Sequence, residues 1–386
     1  VQITQLPDQF SCAMLCVKSK MHGGTHMQKQ KTPVPLDHAG AWRVYLGGRR
    51  IRRLRGLPGD GDDHFPEEWI ASTTEAAGAG AVPGAGLSRL RNHPERTLRE
   101  LIASNPTAFL GERFFRRYGG NCGVLLKLLD AAERLNVQVH PNRGDARRFW
   151  QLPFGKTECW HFLDARKGDG GLPVIYLGLK ENVTPDLLRR AFESGDSQRV
   201  LDCMHRFPAA TGETVLIEGG VPHAIGPGCF LLEIQEPSDL TLRLEKTTTS
   251  GTKVPDELCH MGIGYDAMFS LIRFPGLSSD EVRAKWFVPS LPLPPAPGGQ
   301  ITHLLDYNRC PYFAMEQIDV WDTFRLPQEP VFYGLFTLSG EGELSSGYFH
   351  CALGGGDQLF IPAECPPLEI RAWSPLRLIR FFGPKV

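Results

Sequence analysis

Four segments of this 386-residue chain carry side chains able to hold a cation and move protons. The first, Leu135-Asn136-Val137-Gln138-Val139-His140-Pro141-Asn142, alternates apolar with polar residues. Neighbouring side chains of a strand point to opposite faces. The spacing therefore predicts Leu135, Val137 and Val139 packed into a core, with Asn136, Gln138 and His140 aligned on the other face. The second segment, Gly155-Lys156-Thr157-Glu158-Cys159-Trp160, puts Lys156, Glu158 and Trp160 on one face. By itself that is also the pattern of a surface ion pair of little energetic weight. The third, Gly219 to Gly228, sets His223 in a turn rich in Gly and Pro. In the fourth, Glu233 to Arg243, Glu233 shares a face with Gln235 and Thr241 with Arg243, while Leu240, Leu242 and Leu244 pack opposite. Each segment alone is ambiguous; the combination is much less so. Two imidazole nitrogens (His140, His223), a carboxylate (Glu158) and an amide oxygen (Gln138), spread over several strands, suit one divalent metal ion, Zn²⁺ first among them. Such a shell can expand to admit substrate or water, as catalysis requires.

The elements that must position these groups are mostly strands. Short apolar stretches alternate with Gly/Pro turns from Trp42 to Thr74, and Leu135–Glu181 and Glu213–Glu245 also read as strands. Two regions read as helical, near 95–132 and 185–205. In the first, Leu98, Leu101 and Ile102 recur at helical spacing and Leu125–Ala132 is apolar with good helix formers; in the second, Leu187, Leu188, Ala191 and Phe192 share a face. Ala76–Gly86 reads as a flexible loop. The proline-rich stretch Pro289–Gly299 predicts a domain boundary. The expected organisation is an N-terminal extension (1–37) with little order, a site-bearing domain (38–288) and a C-terminal domain (289–386).

Composition narrows the class. The 42 glycines and 31 prolines are spread along the chain, as turns between short strands would require. A formal net charge of −1 gives no global field to attract nucleic acid or an anionic membrane, and neither is expected as a partner. The basic run Arg49, Arg50, Arg52, Arg53 and Arg55 reads first as a solvated surface and second as a phosphate-facing loop. The ten cysteines are scattered, without a Cys-x-x-Cys pair, and read as reduced core residues. No apolar run reaches membrane-spanning length, and a cytoplasmic location is expected.

An internal repeat links the two parts: Gly212-Glu-Thr-Val-Leu-Ile-Glu-Gly-Gly-Val-Pro-His223 aligns without a gap on Gly356-Asp-Gln-Leu-Phe-Ile-Pro-Ala-Glu-Cys-Pro-Pro367. This pattern resembles that of the cupin superfamily, small double-sheet jelly rolls. It implies a mainly β protein of two cupin domains, with a helical insertion in the first. The second copy has Pro367 where the first has His223, so one metal site is expected.

The four segments together, with Leu125–Asn142 as the longest, resemble type I mannose-6-phosphate isomerases in their short bacterial form. The resemblance covers roughly residues 38–386. It implies metal ligation by Gln138, His140, Glu158 and His223, an active-site arginine at Arg243, and further site residues at Lys156 and Glu233. It also implies a sugar phosphate as small-molecule partner, bound by Asn136, Lys156 and Arg243, with Glu233 or Lys156 as the proton-transfer base. Oligomeric state is not implied. The chain departs from the family at Asn136, usually Ser; at His161, usually Tyr; at Glu218-Gly219, usually Pro-Ala; and at Leu46, usually Trp. Asn136 and His161 favour, as the alternative, a cupin isomerase for another sugar or sugar phosphate. A non-catalytic sugar-phosphate-binding regulator would have lost a ligand or Arg243. A dioxygenase fits poorly with the Gln/Glu ligands beside Lys156 and Arg243.

Overall fold

The computed structural model describes residues 31–77, 82–165 and 172–386. Residues 1–30 of the expected extension, and part of the expected Ala76–Gly86 loop, lie outside the described residues. Within them the protein is mainly β, with four antiparallel sheets of nine, seven, five and four strands.

The four sheets stack through shared cores. The seven-stranded sheet runs Phe287–Val288, Thr214–Ile217, Glu158–Ala165, Cys229–Gln235, Leu125–Asp130, Glu67–Ile70, Gly40–Ala41. The five-stranded sheet runs Met204–Pro208, Val174–Leu179, His223–Ile225, Gln138–Val139, Leu242–Arg243. One core joins these two, with Trp160, Phe162, Leu129 and Leu231 of the first against Ile175, Leu177 and Ile225 of the second. The outer face of the five-stranded sheet, including Val137, Val139 and Leu242, is covered by the helices Pro185–Glu193 and Ser197–Asp202. The other face of the seven-stranded sheet packs Leu126, Leu128, Cys159, Leu232 and Ile234 against Phe336, Phe360, Ile379 and Phe381 of the nine-stranded sheet. That sheet buries its far side, including Leu335 and Leu378, on Leu344 and Ile370 of the four-stranded one. Alternation along Cys229–Gln235 thus sends odd-numbered side chains into the first sandwich and even-numbered ones between the sandwiches.

The repeat is structural as well as sequential. Thr214–Ile217 and Gln358–Ile361 are both fully buried strands, each preceded by a glycine at positive φ, Gly212 and Gly356. Thr214–Ile217 pairs Val215 with Trp160 and Ile217 with Glu158; Gln358–Ile361 pairs Leu359 with Leu335 and Ile361 with Tyr333. Tyr333 therefore takes the place of Glu158 in the second sandwich, and Pro367 the place of His223.

Several expectations need correction. Leu125–Asp130 is a strand, not a helix, and every residue in it is buried. A strand covered on both faces shows a continuous apolar run, which periodicity cannot distinguish from a buried helix. Helices in the first region are confined to Leu98–Ser104, Pro106–Leu110 and Glu112–Tyr118. The Leu135–Glu181 stretch, expected to be strands, contains the helix Arg143–Trp150, whose Asn142 side chain caps the Asp145 N–H. Leu135 lies outside the strand and packs with the inner core, not with Val137 and Val139. The N-terminal extension does not run unbroken to residue 37: Val34–Leu36 pairs with Gln358–Phe360 in the nine-stranded sheet. The chain passes from the seven-stranded to the nine-stranded sheet between Val288 and Leu291, yet Val34–Leu36 and His93–Thr97 also belong to the latter. The basic run is a short helix, Arg49–Leu54, with Arg55 after it, and two of its members are structural clamps. Arg50 binds Asp130 and the carbonyls of Gly228 and Cys229, and Arg55 is bonded to the buried Glu68. Among the described residues no helix is long and apolar enough to cross a membrane, and eight cysteines are free.

Candidate metal centre and cleft

His140, Glu158 and His223 converge between the five- and seven-stranded sheets, all three essentially without solvent exposure. One potential ligand atom from each lies within 4.8 Å of the others. Strand register brings them together. His223 and Arg243 are both cross-strand partners of Gln138, and Gln235 and Ile217 flank Glu158. His140 follows directly after the strand Gln138–Val139, where Pro141 removes the next donor.

The ring orientations indicate what the site is built to hold. Nδ1 of His140 is 2.9 Å from the Leu240 carbonyl, and Nδ1 of His223 is 2.8 Å from the Val221 carbonyl. A carbonyl only accepts, so each ring carries its proton on Nδ1 and presents Nε2 as an acceptor. Those nitrogens face Glu158: His140 Nε2 is 3.3 Å from Oε2 and His223 Nε2 is 3.2 Å from Oε1. His223 Nε2 and Glu158 Oε2 are buried without a hydrogen-bond partner. Orphaned acceptors pointing at one spot are costly unless a cation occupies it. The residues therefore fit a divalent ion. Burial first, then Lys156, pushes the His140 pKa down to about 3, so the ring is neutral as a ligand must be. Burial alone would raise the Glu158 carboxyl, but Lys156, His140 and His223 together hold it well below the usual range. The Trp160 indole donates to Glu158 Oε1 at 3.1 Å and fixes its plane. Lys156 Nζ lies 3.0 Å from His140 Nε2 and 3.4 Å from Glu158 Oε2, so the Lys156–Glu158 pair is buried and not a surface ion pair.

A cleft of about 200 Å³ opens beside this triad. Gln138, Lys156, Glu233, Arg243 and Asn136 all line it, so the structure gathers every sequence-expected site residue at or beside one cavity. Glu233 receives a hydrogen bond from Lys127 Nζ at 2.8 Å, and burial, against the pull of Lys127, raises its carboxyl pKa. Arg243 Nη1 donates to the carbonyls of Thr241 and Leu258. The Asn136 amide nitrogen donates to Glu245 and to the Thr247 carbonyl. His161 is not in the cleft. It is buried on the opposite sheet face, bonded to Thr214 Oγ1 at 2.9 Å, and carries no information on substrate choice.

Sequence reasoning missed Arg43, Tyr45, Glu67, Lys127 and Asp239, which also line the cleft. Glu67 accepts from the Tyr45 hydroxyl at 2.7 Å and the Trp69 indole at 2.9 Å, and pairs with Arg43 Nε at 2.9 Å. Against the effect of burial, Arg43 and Lys127 hold its carboxyl well below the ordinary range. A signal did exist for Lys127: a lone cation within Leu-Leu-Lys-Leu-Leu-Asp, once that run is taken as a strand, must face a polar interior.

The comparisons with known proteins concern the family and the fold. Residues 72–157 match the family model "Phosphomannose isomerase type I, catalytic domain", and residues 303–382 match "Mannose-6-phosphate isomerase, cupin domain". The mannose-6-phosphate isomerase ManA of Bacillus subtilis is 30% identical over 259 residues, covering 66% of this chain and 74% of the relative. A crystal structure of the mannose 6-phosphate isomerase from Bacillus subtilis superposes with a TM-score of 0.70 at 22% identity, covering 91% of this chain and 99% of the other. A mannose 6-phosphate isomerase solved with zinc and yttrium bound gives 0.64 at 18% identity, over 92% and 100%. With its buried His-Glu-His triad at the edge of a cationic cleft, this chain belongs to the type I mannose-6-phosphate isomerase family.

Proposed function

We propose that this protein interconverts mannose 6-phosphate and fructose 6-phosphate through a cis-enediol, using one divalent metal, Zn²⁺ by preference. The observation that carries the reading is the convergence of two imidazole Nε2 atoms on Glu158, with His223 Nε2 and Glu158 Oε2 buried and unpartnered, next to a cleft lined by arginine and lysine, in a chain of this family. His140, Glu158 and His223 would hold the ion, with Gln138, the register neighbour of His223, as fourth ligand. When bound, the ion supplies Lewis acidity toward the oxygens at C1 and C2 of the sugar.

The protein's own residues divide the remaining work. Glu233 is a carboxyl in the cleft whose raised pKa suits a group that takes a proton from C2 and returns it to C1. Lys127 beside it stabilises the ionised form and fixes the carboxyl plane. Lys156, an ammonium in contact with His140 and Glu158, acts as donor to a sugar oxygen more readily than as base. Arg243, anchored by two carbonyls, presents its remaining donors to the bound sugar phosphate. Asn136 belongs to the substrate wall. The two sandwiches are read as two cupin domains, on the strength of the matched register of Glu158 with Tyr333. A panel of free and phosphorylated hexoses, assayed for ketose formation, tests the substrate. Mannose 6-phosphate should be turned over best, and a clear preference for another sugar would displace it.

A further inference from the structure

The cations of the cleft differ in how fully they are satisfied. Lys127 sits between Glu233 and Glu67, and Lys156 leans on His140 and Glu158. Arg43 and Arg243 remain. The Arg43 guanidinium lies over the Trp69 ring at 5.3 Å, and its Nε is held 2.9 Å from Glu67 Oε1. Glu67 is itself fixed by Tyr45 and Trp69, so this edge of Arg43 is rigidly placed. Its terminal nitrogens make only long contacts: Nη1 to the Ala77 carbonyl at 3.4 Å and Nη2 to Asp239 at 3.5 Å. Good N–H···O bonds run about 2.7–3.2 Å, so both nitrogens keep donor capacity. Arg243 has one nitrogen anchored on two carbonyls, and no carboxylate among the described residues pairs with it within 4.0 Å.

Both guanidiniums line the same cleft, and after burial the Arg43 charge is among the influences that disfavour the Arg243 cation. Two like charges facing one cavity are unfavourable unless an anion enters between them. Asp239, 3.5 Å from Arg43 Nη2, outweighs Arg43 at the Arg243 cation, so it is the unused guanidinium donors that invite an anion. A tetrahedral dianion with several acceptor oxygens matches two guanidinium forks, whose planar donors favour phosphate over a point contact.

We propose that Arg43, with Arg243 across the cleft, binds the phosphate group of the substrate and sets the preference for phosphorylated over free sugar. The assignment rests on the cleft being a sugar-phosphate site. Glu67 is then a positioning residue: it orients Arg43 without touching substrate.

Calorimetry on the metal-loaded full chain, with inorganic phosphate, mannose 6-phosphate and mannose as separate probes, tests this. Arg43→Gln should weaken both phosphate and mannose 6-phosphate by about 10- to 100-fold, leave mannose affinity unchanged, and raise KM far more than it lowers kcat. Arg43→Lys should fall between. Because Arg43→Gln leaves Glu67 short of a partner, the double variant Arg43→Gln/Glu67→Gln is measured alongside, with thermal melts to establish folding, and should show the same loss. Unchanged phosphate affinity in the folded variants overturns the assignment, as does equal weakening of mannose and mannose 6-phosphate. If wild type binds phosphate through Arg43 yet isomerises no sugar phosphate, the isomerase reading fails and the phosphate assignment stands.

Discussion

Glu233 and Arg380 occupy equivalent register positions in the two sandwiches and carry opposite charges. Glu233 pairs across strands with Lys127 and with Trp160; Arg380 pairs with Glu316 and with Leu335. Trp160 and Leu335 are themselves matched through Val215 and Leu359. Each sandwich therefore keeps a buried ion pair at the same place with its polarity exchanged, Lys127–Glu233 at 2.8 Å and Arg380–Glu316 at 2.7 Å. In the first sandwich the pair borders a cleft and a ligand triad. In the second the ligand positions are Tyr333 and Pro367, and the Arg380 guanidinium fills the interior over the Tyr333 and Phe382 rings.

Removing one partner of either pair leaves a buried charge alone. Arg380→Met and Lys127→Met should each cost about 3–5 kcal/mol of stability in urea denaturation. Their kinetics should differ. The kcat of folded Arg380→Met stays within about twofold of wild type, while Lys127→Met loses about 10²-fold or more because Glu233 loses its partner. Equal kinetic losses in both variants would remove the functional distinction between the sandwiches.

The Trp160 indole is the outer support of the carboxylate in the triad, through its 3.1 Å bond to Glu158 Oε1. Trp160→Phe keeps the ring in the core and deletes that donor. Metal affinity, measured by competition with a chromophoric chelator, should fall about 10- to 100-fold with little change in fold. An unchanged affinity would mean that the indole only packs.

His161 gives a pH signature separate from the metal. Burial, then Arg377, lowers its pKa to about 4 from 6.5. The folded protein thus resists a proton that the unfolded chain accepts. Stability from this group is fully present above about pH 6.5 and is lost as pH falls from 6.5 toward 4, up to about 3 kcal/mol in all. His161→Phe should flatten the fall in melting temperature over that window, after a constant offset for the unpaired Thr214 hydroxyl. A parallel pH profile in the variant would assign the acid sensitivity elsewhere.

The triad was legible because its chemistry is spaced on a strand period: Gln138 and His140 two apart, Glu158 two before Trp160, His223 at a fixed place in a repeat. What escaped was whatever depends on which sheet covers which face. Leu125–Asp130 is apolar on both sides because one face meets the first sandwich and the other meets the nine-stranded sheet. Its continuous run therefore passed for a helix and hid Lys127. Arg43 and Glu67 come from segments read only as generic β, and nothing local marks them; their importance arises from ion pairs made in the folded chain, Glu67 with Lys127 and with Arg43. His161 stood out as a departure from the family pattern, but alternation turns it away from the cleft. The helix Arg143–Trp150 had its signal in Asn142 and Asp145, overshadowed by the strand pattern just before it.

The most direct test of the account is turnover against metal content. Purified protein is assayed for conversion of mannose 6-phosphate to fructose 6-phosphate as isolated, after chelation with verified metal removal, after Zn²⁺ is restored, and as His140→Ala. The account predicts activity proportional to about one bound ion per chain, lost on removal, regained on restoration and absent in the folded His140→Ala variant. Undiminished turnover in protein verified to be metal-free would contradict it.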